Sequence, residues 1–224
     1  IMHTAHFPHM PNTLHFESWK RWIRRHHFPT AAMFLLYVLP LSALPPLMFY
    51  YTGTHYDALL TSLTESQLLV IAAVFFAAEL VMTFLLAAFI EGLGNAAFKI
   101  MHTQYEMLKF PTPEEPSKGV LMQRRRVDFR DAYTLAAISP TPLWLVSLAL
   151  FIPNIGVIAT LGAFALILSL YILYSATPWV LKIEEKGEGI LMGWVLLTIG
   201  MIGWAAMMYL TFLTWGYVTG FAAG

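Results

Sequence analysis

Two long apolar segments without a charged residue constrain this chain more than any other feature. They cover Tyr133–Ile152 and Val157–Tyr174, and only Pro153-Asn154-Ile155-Gly156 separates them. Proline, asparagine and glycine favour a turn at this point. A helix rises about 1.5 Å per residue, so each segment is about long enough to cross a hydrocarbon core of roughly 30 Å. The pair therefore predicts a transmembrane hairpin.

Composition extends this prediction to the whole chain. Of 224 residues, 58% are hydrophobic and 12% are charged, whereas a soluble domain carries about 25% charged residues. We therefore predict an all-α polytopic membrane protein with a cytoplasmic lead at residues 1–30 and a five-helix transmembrane bundle at residues 31–224. The predicted spans are residues 31–51, 67–90, 133–152, 157–175 and 190–213.

The segment before the first span alternates aromatic and basic residues. Phe16, Trp19, Trp22 and Ile23 share one helical stripe, and cations occupy much of the remaining surface. This pattern is typical of an interfacial amphipathic helix that binds anionic lipid headgroups. A simple positive flank of the first span is the alternative. The cations are Lys20, Arg21, Arg24 and Arg25.

The first residues are rich in histidine, which raises the question of a metal site. His3, His6 and His9 lie three residues apart, but Pro8 interrupts any helix that would align them. No carboxylate lies among them, and the chain has no cysteine. We therefore predict no metal site and no cofactor.

Glu79 lies in the middle of the second predicted span and is the strongest single candidate for a functional residue. A carboxylate at that depth is costly unless it is partnered or protonated. One interpretation is a proton or cation relay, or a ligand contact. The other, which we favour because relays usually chain several ionisable groups, is a neutral acid that hydrogen-bonds across helices to Tyr171, Ser139 or Thr141.

Small residues recur along the fifth span. Gly193, Gly200, Gly203 and Ala206 are separated by seven, three and three residues, which lets a neighbouring helix approach closely. The neighbour is either another span of this chain or a partner protein.

Several residues predict local breaks in the backbone. Pro142, Pro153 and Pro178 predict a kinked central hairpin that contributes to helix packing. Gly92-Leu93-Gly94-Asn95 predicts a flexible point where the second span leaves the membrane, and Ala96–Lys109 is a possible helical continuation.

The distribution of cations predicts the orientation. All 13 Lys and Arg residues lie before the first span, between the second and third spans, or between the fourth and fifth spans. By the positive-inside rule the N-terminus is cytoplasmic and the C-terminus lies outside. A net charge of zero gives no reason to expect a nucleic acid partner.

No catalytic motif is visible. The sequence lacks a phosphate-binding G-x-x-x-x-G-K-[ST] loop, an H-E-x-x-H zinc motif and a G-x-S-x-G nucleophile motif. We therefore predict a protein that is not an enzyme.

The central hairpin resembles the Yip family, membrane proteins named for interaction with Ypt/Rab small GTPases. The matching residues are Ser139-Pro140-Thr141-Pro142-Leu143-Trp144, Ile152-Pro153, and Leu173-Tyr174-Ser175-Ala176-Thr177-Pro178. The resemblance implies a five-span membrane fold. The Asp-Leu-Tyr-Gly-Pro element of eukaryotic members has no counterpart here, so the resemblance does not imply binding to a small GTPase.

Short termini and loops are similar to those of prokaryotic members, which implies the bacterial inner membrane. We expect a non-enzymatic scaffold or accessory subunit that packs against other integral membrane proteins or against itself. The alternative is a small transporter or channel that uses Glu79.

Overall fold

The structure is a computed structural model that describes residues 29–56, 63–107, 127–181, 183 and 186–220. In these ranges every regular element is helical, and five helices are long and apolar enough to cross a membrane. The predicted all-α fold with five spans is confirmed. The spans are Thr30–His55, Glu65–Ala97, Phe129–Phe151, Ile155–Val180 and Gly189–Val218.

Two of the spans are interrupted and two extend into longer helices. Span one consists of Thr30–Met33, a π-helical turn at Phe34–Val38, and the helices Leu39–Ser42 and Leu44–His55. Span three consists of Phe129–Ile138, Thr141–Val146 and a 3-10 turn at Ser147–Phe151. Span two belongs to the helix Glu65–Met107, and span five to the helix Lys186–Val218.

The turn of the central hairpin is shorter than its sequence predicts. Asn154 accepts hydrogen bonds from the backbone N–H groups of Gly156 (3.0 Å) and Val157 (3.2 Å). These bonds satisfy N–H groups that have no partner within the helix, so span four begins at Ile155 rather than at Val157.

Span two is the central helix of the bundle, because it contacts spans one, three and five. Alanines of span three, among them Ala132 and Ala136, are fully buried in the core beside Ala87 and Ile90 of span two. Small side chains on span three thus allow the two helices to approach closely. Span four contacts spans three and five at the edge of the bundle.

The predicted flexible point at Gly92–Asn95 is wrong. The helix continues through it, and Gly94 is buried against the start of span three and the end of span four. A Cβ atom at Gly94 would lie 2.5 Å from Val127 Cγ2 and 2.7 Å from Leu181 Cδ2. Asn95 adds two hydrogen bonds, accepting from the Val127 N–H (3.1 Å) and donating to the Val127 carbonyl (3.4 Å). The glycine therefore provides close packing rather than flexibility.

The opposite end of the bundle is joined by two bonds from side chains to backbone carbonyls. Tyr56 donates from its hydroxyl to the Phe151 carbonyl (3.0 Å), which connects span one to span three. Gln67 Nε2 donates to the Val218 carbonyl (2.8 Å), which connects span two to the last turn of span five.

The predicted interfacial helix lies outside the described residues. This applies to its tryptophans and cations, Trp19, Trp22, Lys20, Arg21, Arg24 and Arg25, and also to His3, His6 and His9.

Candidate functional site: a cavity around Glu79 within the membrane

Glu79 lies near the middle of span two and is buried, with 6% of its surface exposed. Its backbone carbonyl accepts a hydrogen bond from the Thr83 hydroxyl one turn later (2.9 Å). Its carboxyl group projects away from the lipid, as expected for an ionisable residue at this depth.

The Glu79 carboxyl group faces a residue other than the predicted ones. The indole of Trp144, a buried residue of span three, interacts with the carboxyl group. Among the described residues, the carboxyl oxygen Oε2 is buried without a hydrogen-bond partner. Glu79 of span two thus faces Trp144 of span three, and its Oε2 has no partner among the described residues.

The three predicted partners are occupied or turned away. Thr141 Oγ1 hydrogen-bonds the Tyr37 hydroxyl, at 2.8 Å. The Ser139 hydroxyl donates to the Ala136 carbonyl of its own helix. Tyr171 is 59% exposed on the outside of span four. The sequence does not fix the rotation of span four about its axis, and this rotation turns Ser169 inward and Tyr171 outward.

A cavity of about 400 Å³ surrounds the free side of Glu79, and spans two, three, four and five form its walls. The walls are mainly apolar side chains. The polar side chains are Glu79, Thr83, Ser139 and Ser169, and the indoles of Trp144 and Trp204 also line the cavity. Ser169 is 6% exposed, and within the described ranges its Oγ has no hydrogen-bond partner.

A break in span three forms part of the cavity wall. Proline has no N–H group, so Pro140 cannot donate to the carbonyl of Ala136, four residues earlier. Ser139 Oγ donates to that carbonyl instead, at 3.4 Å. The helix restarts at Thr141 with Pro142 in its first turn, where the missing N–H is tolerated. Trp144 lies in the short helix that follows this break.

Span one supports the break from outside the cavity. Its π-helical turn, Phe34–Val38, contains Tyr37, whose hydroxyl bonds Thr141 at the restart of span three. Single π-helical turns inside α-helices often occur at functional sites.

The glycines of span five contact other spans of the same chain. A Cβ atom at Gly193 would lie 2.7 Å from the Tyr174 ring. At Gly200 it would lie 3.0 Å from Leu173, and at Gly203 3.2 Å from Met82 Cε. Gly200, Gly203 and Ala206 also line the cavity, with Ala206 exposed at its edge.

The two other prolines named from the sequence occupy different positions. Pro153 lies in the turn between spans three and four, and Pro178 lies inside span four, where Gly189 packs against it. Neither residue lines the cavity.

Sequence reasoning did not identify Trp144 and Ser169 as site residues. Trp144 was noted only as part of a family motif. Ser169 follows Leu168 in an apolar run, and no pattern sets it apart. A helical projection of span four shows that Ser169, Leu173 and Thr177 share one face. In the described ranges, no group of three or more His, Asp or Glu side chains is arranged to hold a metal ion.

Comparison with known proteins agrees with the topology. No curated protein and no solved structure matches the chain. The sequence profile described as the Yip1 domain matches residues 14–207, which include the first four spans and most of span five. This match covers the Glu79 cavity and the Pro140 break. The chain is therefore a multi-pass membrane protein that belongs to the Yip1 domain family.

Proposed function

We propose that this protein is a non-enzymatic scaffold or accessory subunit that packs against other integral membrane proteins, or against copies of itself, in the bacterial inner membrane. The observation that carries the proposal is an exposed face of small residues on span four. Gly156, Ala159, Thr160 and Ala163 occupy positions i, i+3, i+4 and i+7 on one helical face and are exposed. In membranes, such faces let two helices approach closely.

The peripheral position of span four supports the same proposal. In its most apolar window 11% of the residues are buried, the same share as in span five and less than the 39% in span three. Span four therefore offers most of its surface to the surroundings of the bundle. Because lipid tails are as apolar as the helix itself, association there depends on close packing, to which small residues are suited.

The test is the replacement of small residues by large ones on this face. Ala159→Leu and Ala163→Leu are expected to remove a stoichiometric partner, or a second copy of the chain, from the complex extracted in mild detergent. Extraction followed by native mass spectrometry measures the complex. Ala73→Leu is the matched control, because Ala73 is also exposed, on span two. A wild-type protein that is strictly monomeric and free of partners contradicts the proposal.

We further propose that the N-terminus is cytoplasmic and the C-terminus periplasmic. Lys99 and Arg130 lie at the end of the bundle where Asn95 meets Val127, and the positive-inside rule assigns that end to the cytoplasm. Because the chain has no native cysteine, a single introduced cysteine reports the side of the membrane on which its loop lies. In intact spheroplasts we expect an impermeant maleimide to label Thr64→Cys, and to label Ser117→Cys only after permeabilisation. The reverse pattern contradicts this orientation.

The N-terminal segment is proposed to lie on the cytoplasmic leaflet. Trp19 and Trp22 would enter the interface, while the four neighbouring cations bind anionic headgroups. A polarity-sensitive fluorophore on Ser18→Cys should report an apolar environment in phosphatidylglycerol vesicles and an aqueous one in neutral vesicles at high salt. Identical spectra in both would argue against headgroup binding.

A small transporter or channel is the second candidate, and the cavity beside Glu79 is the observation that favours it. Intramembrane acids facing a cavity mark many ion and substrate paths. If the protein is a transporter or channel, proteoliposomes that contain it should show flux of an ion or small substrate. Glu79→Gln should reduce that flux by at least about tenfold. Absence of flux, or flux unchanged by Glu79→Gln, excludes it.

A further inference from the structure

The Glu79 cavity contains two buried polar groups that no side chain of the described structure satisfies. Thr83 and Ser139 donate to backbone carbonyls, and Trp144 interacts with the Glu79 carboxyl group. In the described ranges, Glu79 Oε2 and Ser169 Oγ remain without partners, each on a residue only 6% exposed. Buried polar atoms are generally hydrogen-bonded, so this pair indicates a missing partner.

The cavity has an edge on the outside of the bundle. Leu85 and Phe89 of span two and Ile202 of span five line it, and they are 47%, 52% and 64% exposed. At the depth of these residues, the bundle is surrounded by lipid. A molecule therefore reaches Glu79 sideways from the bilayer, between spans two and five.

The depth of Glu79 in the membrane restricts which molecules can reach its carboxyl group. Glu79 is 14 residues from the start of span two and 18 from its end, which places it about 21 Å and 27 Å from the two ends of the helix. Phospholipid headgroups lie about 15 Å or more from the bilayer centre. A phospholipid thus delivers only its apolar tail to Glu79, which leaves Oε2 unsatisfied.

We infer that the cavity binds a small lipid-soluble molecule with a hydrogen-bond donor, a hydroxyl group in particular, that dissolves in the bilayer interior. Its apolar body fills the cavity, whose volume falls in the roughly 300–1,000 Å³ range of small-molecule sites. Its hydroxyl, which can donate and accept, hydrogen-bonds Glu79 Oε2, and Ser169 provides a second polar contact. This inference does not depend on the scaffold function proposed above.

The test compares two photoreactive probes that differ only in the donor. One is an alkylphenol carrying a diazirine, and the other is its O-methyl ether. The full-length protein is labelled in lipid nanodiscs, and labelled peptides are identified by mass spectrometry. We expect saturable labelling of cavity-lining residues by the phenol, and at least about fivefold weaker labelling by the ether, because the methyl group removes the donor and hinders the approach of the oxygen to Glu79.

Variants of cavity residues test where the probe binds and whether its hydroxyl contacts Glu79. Ala206→Phe fills the edge of the cavity and should reduce phenol labelling at least about tenfold. Ala205→Phe should leave it unchanged, because the adjacent Ala205 is also exposed but does not line the cavity. Glu79→Leu should lower phenol labelling to the level of the ether, whereas Glu79→Gln retains an acceptor and should keep most of it.

The comparison of phenol and ether labelling uses the wild-type protein, so it tests the inference even if a variant fails to fold. Equal labelling of the cavity by both probes overturns the inference, because it shows occupancy without a role for the donor. Labelling confined to exposed residues outside the cavity, or insensitive to Ala206→Phe, also overturns it.

Discussion

Gly94→Ala is expected to lower the free energy of unfolding by about 1–2 kcal/mol. The new methyl group overlaps Val127 and Leu181, and overpacking of this kind costs about 1–3 kcal/mol. The better helix propensity of alanine offsets up to about 1 kcal/mol of that cost. Gly94→Leu should prevent spans three and four from meeting span two at this end.

Gly92 provides a matched control on the same helix. Within the described residues, nothing lies within 4 Å of a Cβ atom placed there. Gly92→Ala should therefore leave stability unchanged or raise it by up to about 1 kcal/mol. Unfolding in mixed micelles by increasing SDS, followed by circular dichroism, measures both variants. Equal effects at the two glycines would show that Gly94 is not closely packed in the protein.

Two substitutions at Tyr133 are expected to change the stability of the protein in opposite directions, because one removes the whole ring and the other removes only the hydroxyl group. The residue is fully buried in the core between Phe84 and Phe129, with ring centroids at 5.1 Å and 6.0 Å. Tyr133→Ala deletes this ring and should cost about 3–5 kcal/mol, as large-to-small core substitutions do.

Tyr133→Phe should instead stabilise the protein, by about 1 kcal/mol. In the described part of the chain the Tyr133 hydroxyl is buried without a hydrogen-bond partner, and removing such a group avoids its desolvation penalty. The same SDS titration measures both variants. A Tyr133→Phe variant less stable than wild type would mean that the hydroxyl has a partner in the membrane-embedded protein.

The fold was predictable because hydropathy alone determines which segments cross a membrane. All five spans lie where apolar runs of sufficient length place them, and Pro153-Asn154-Ile155-Gly156 marks the hairpin turn. These features depend on local sequence and on the length of a helix in lipid.

The site was predictable only in part. Glu79 stands out because a carboxyl group in an apolar span is rare. Its partner Trp144 depends on how the break at Pro140 redirects span three, and Ser169 depends on the rotation of span four. Gly94 shows the same limitation, since a glycine permits either a flexible backbone or a close contact, and only the neighbouring spans distinguish them.

The position of span five also determines when the cavity comes into existence. Gly200, Gly203 and Ala206 supply one of its walls, and span five leaves the ribosome after the four other described spans. Until span five inserts, the groove formed by the earlier spans is open along that side. During biogenesis a lipophilic molecule can therefore reach Glu79 before span five docks, without passing between Leu85 and Ile202. The order of synthesis thus allows the occupant to be enclosed when span five docks.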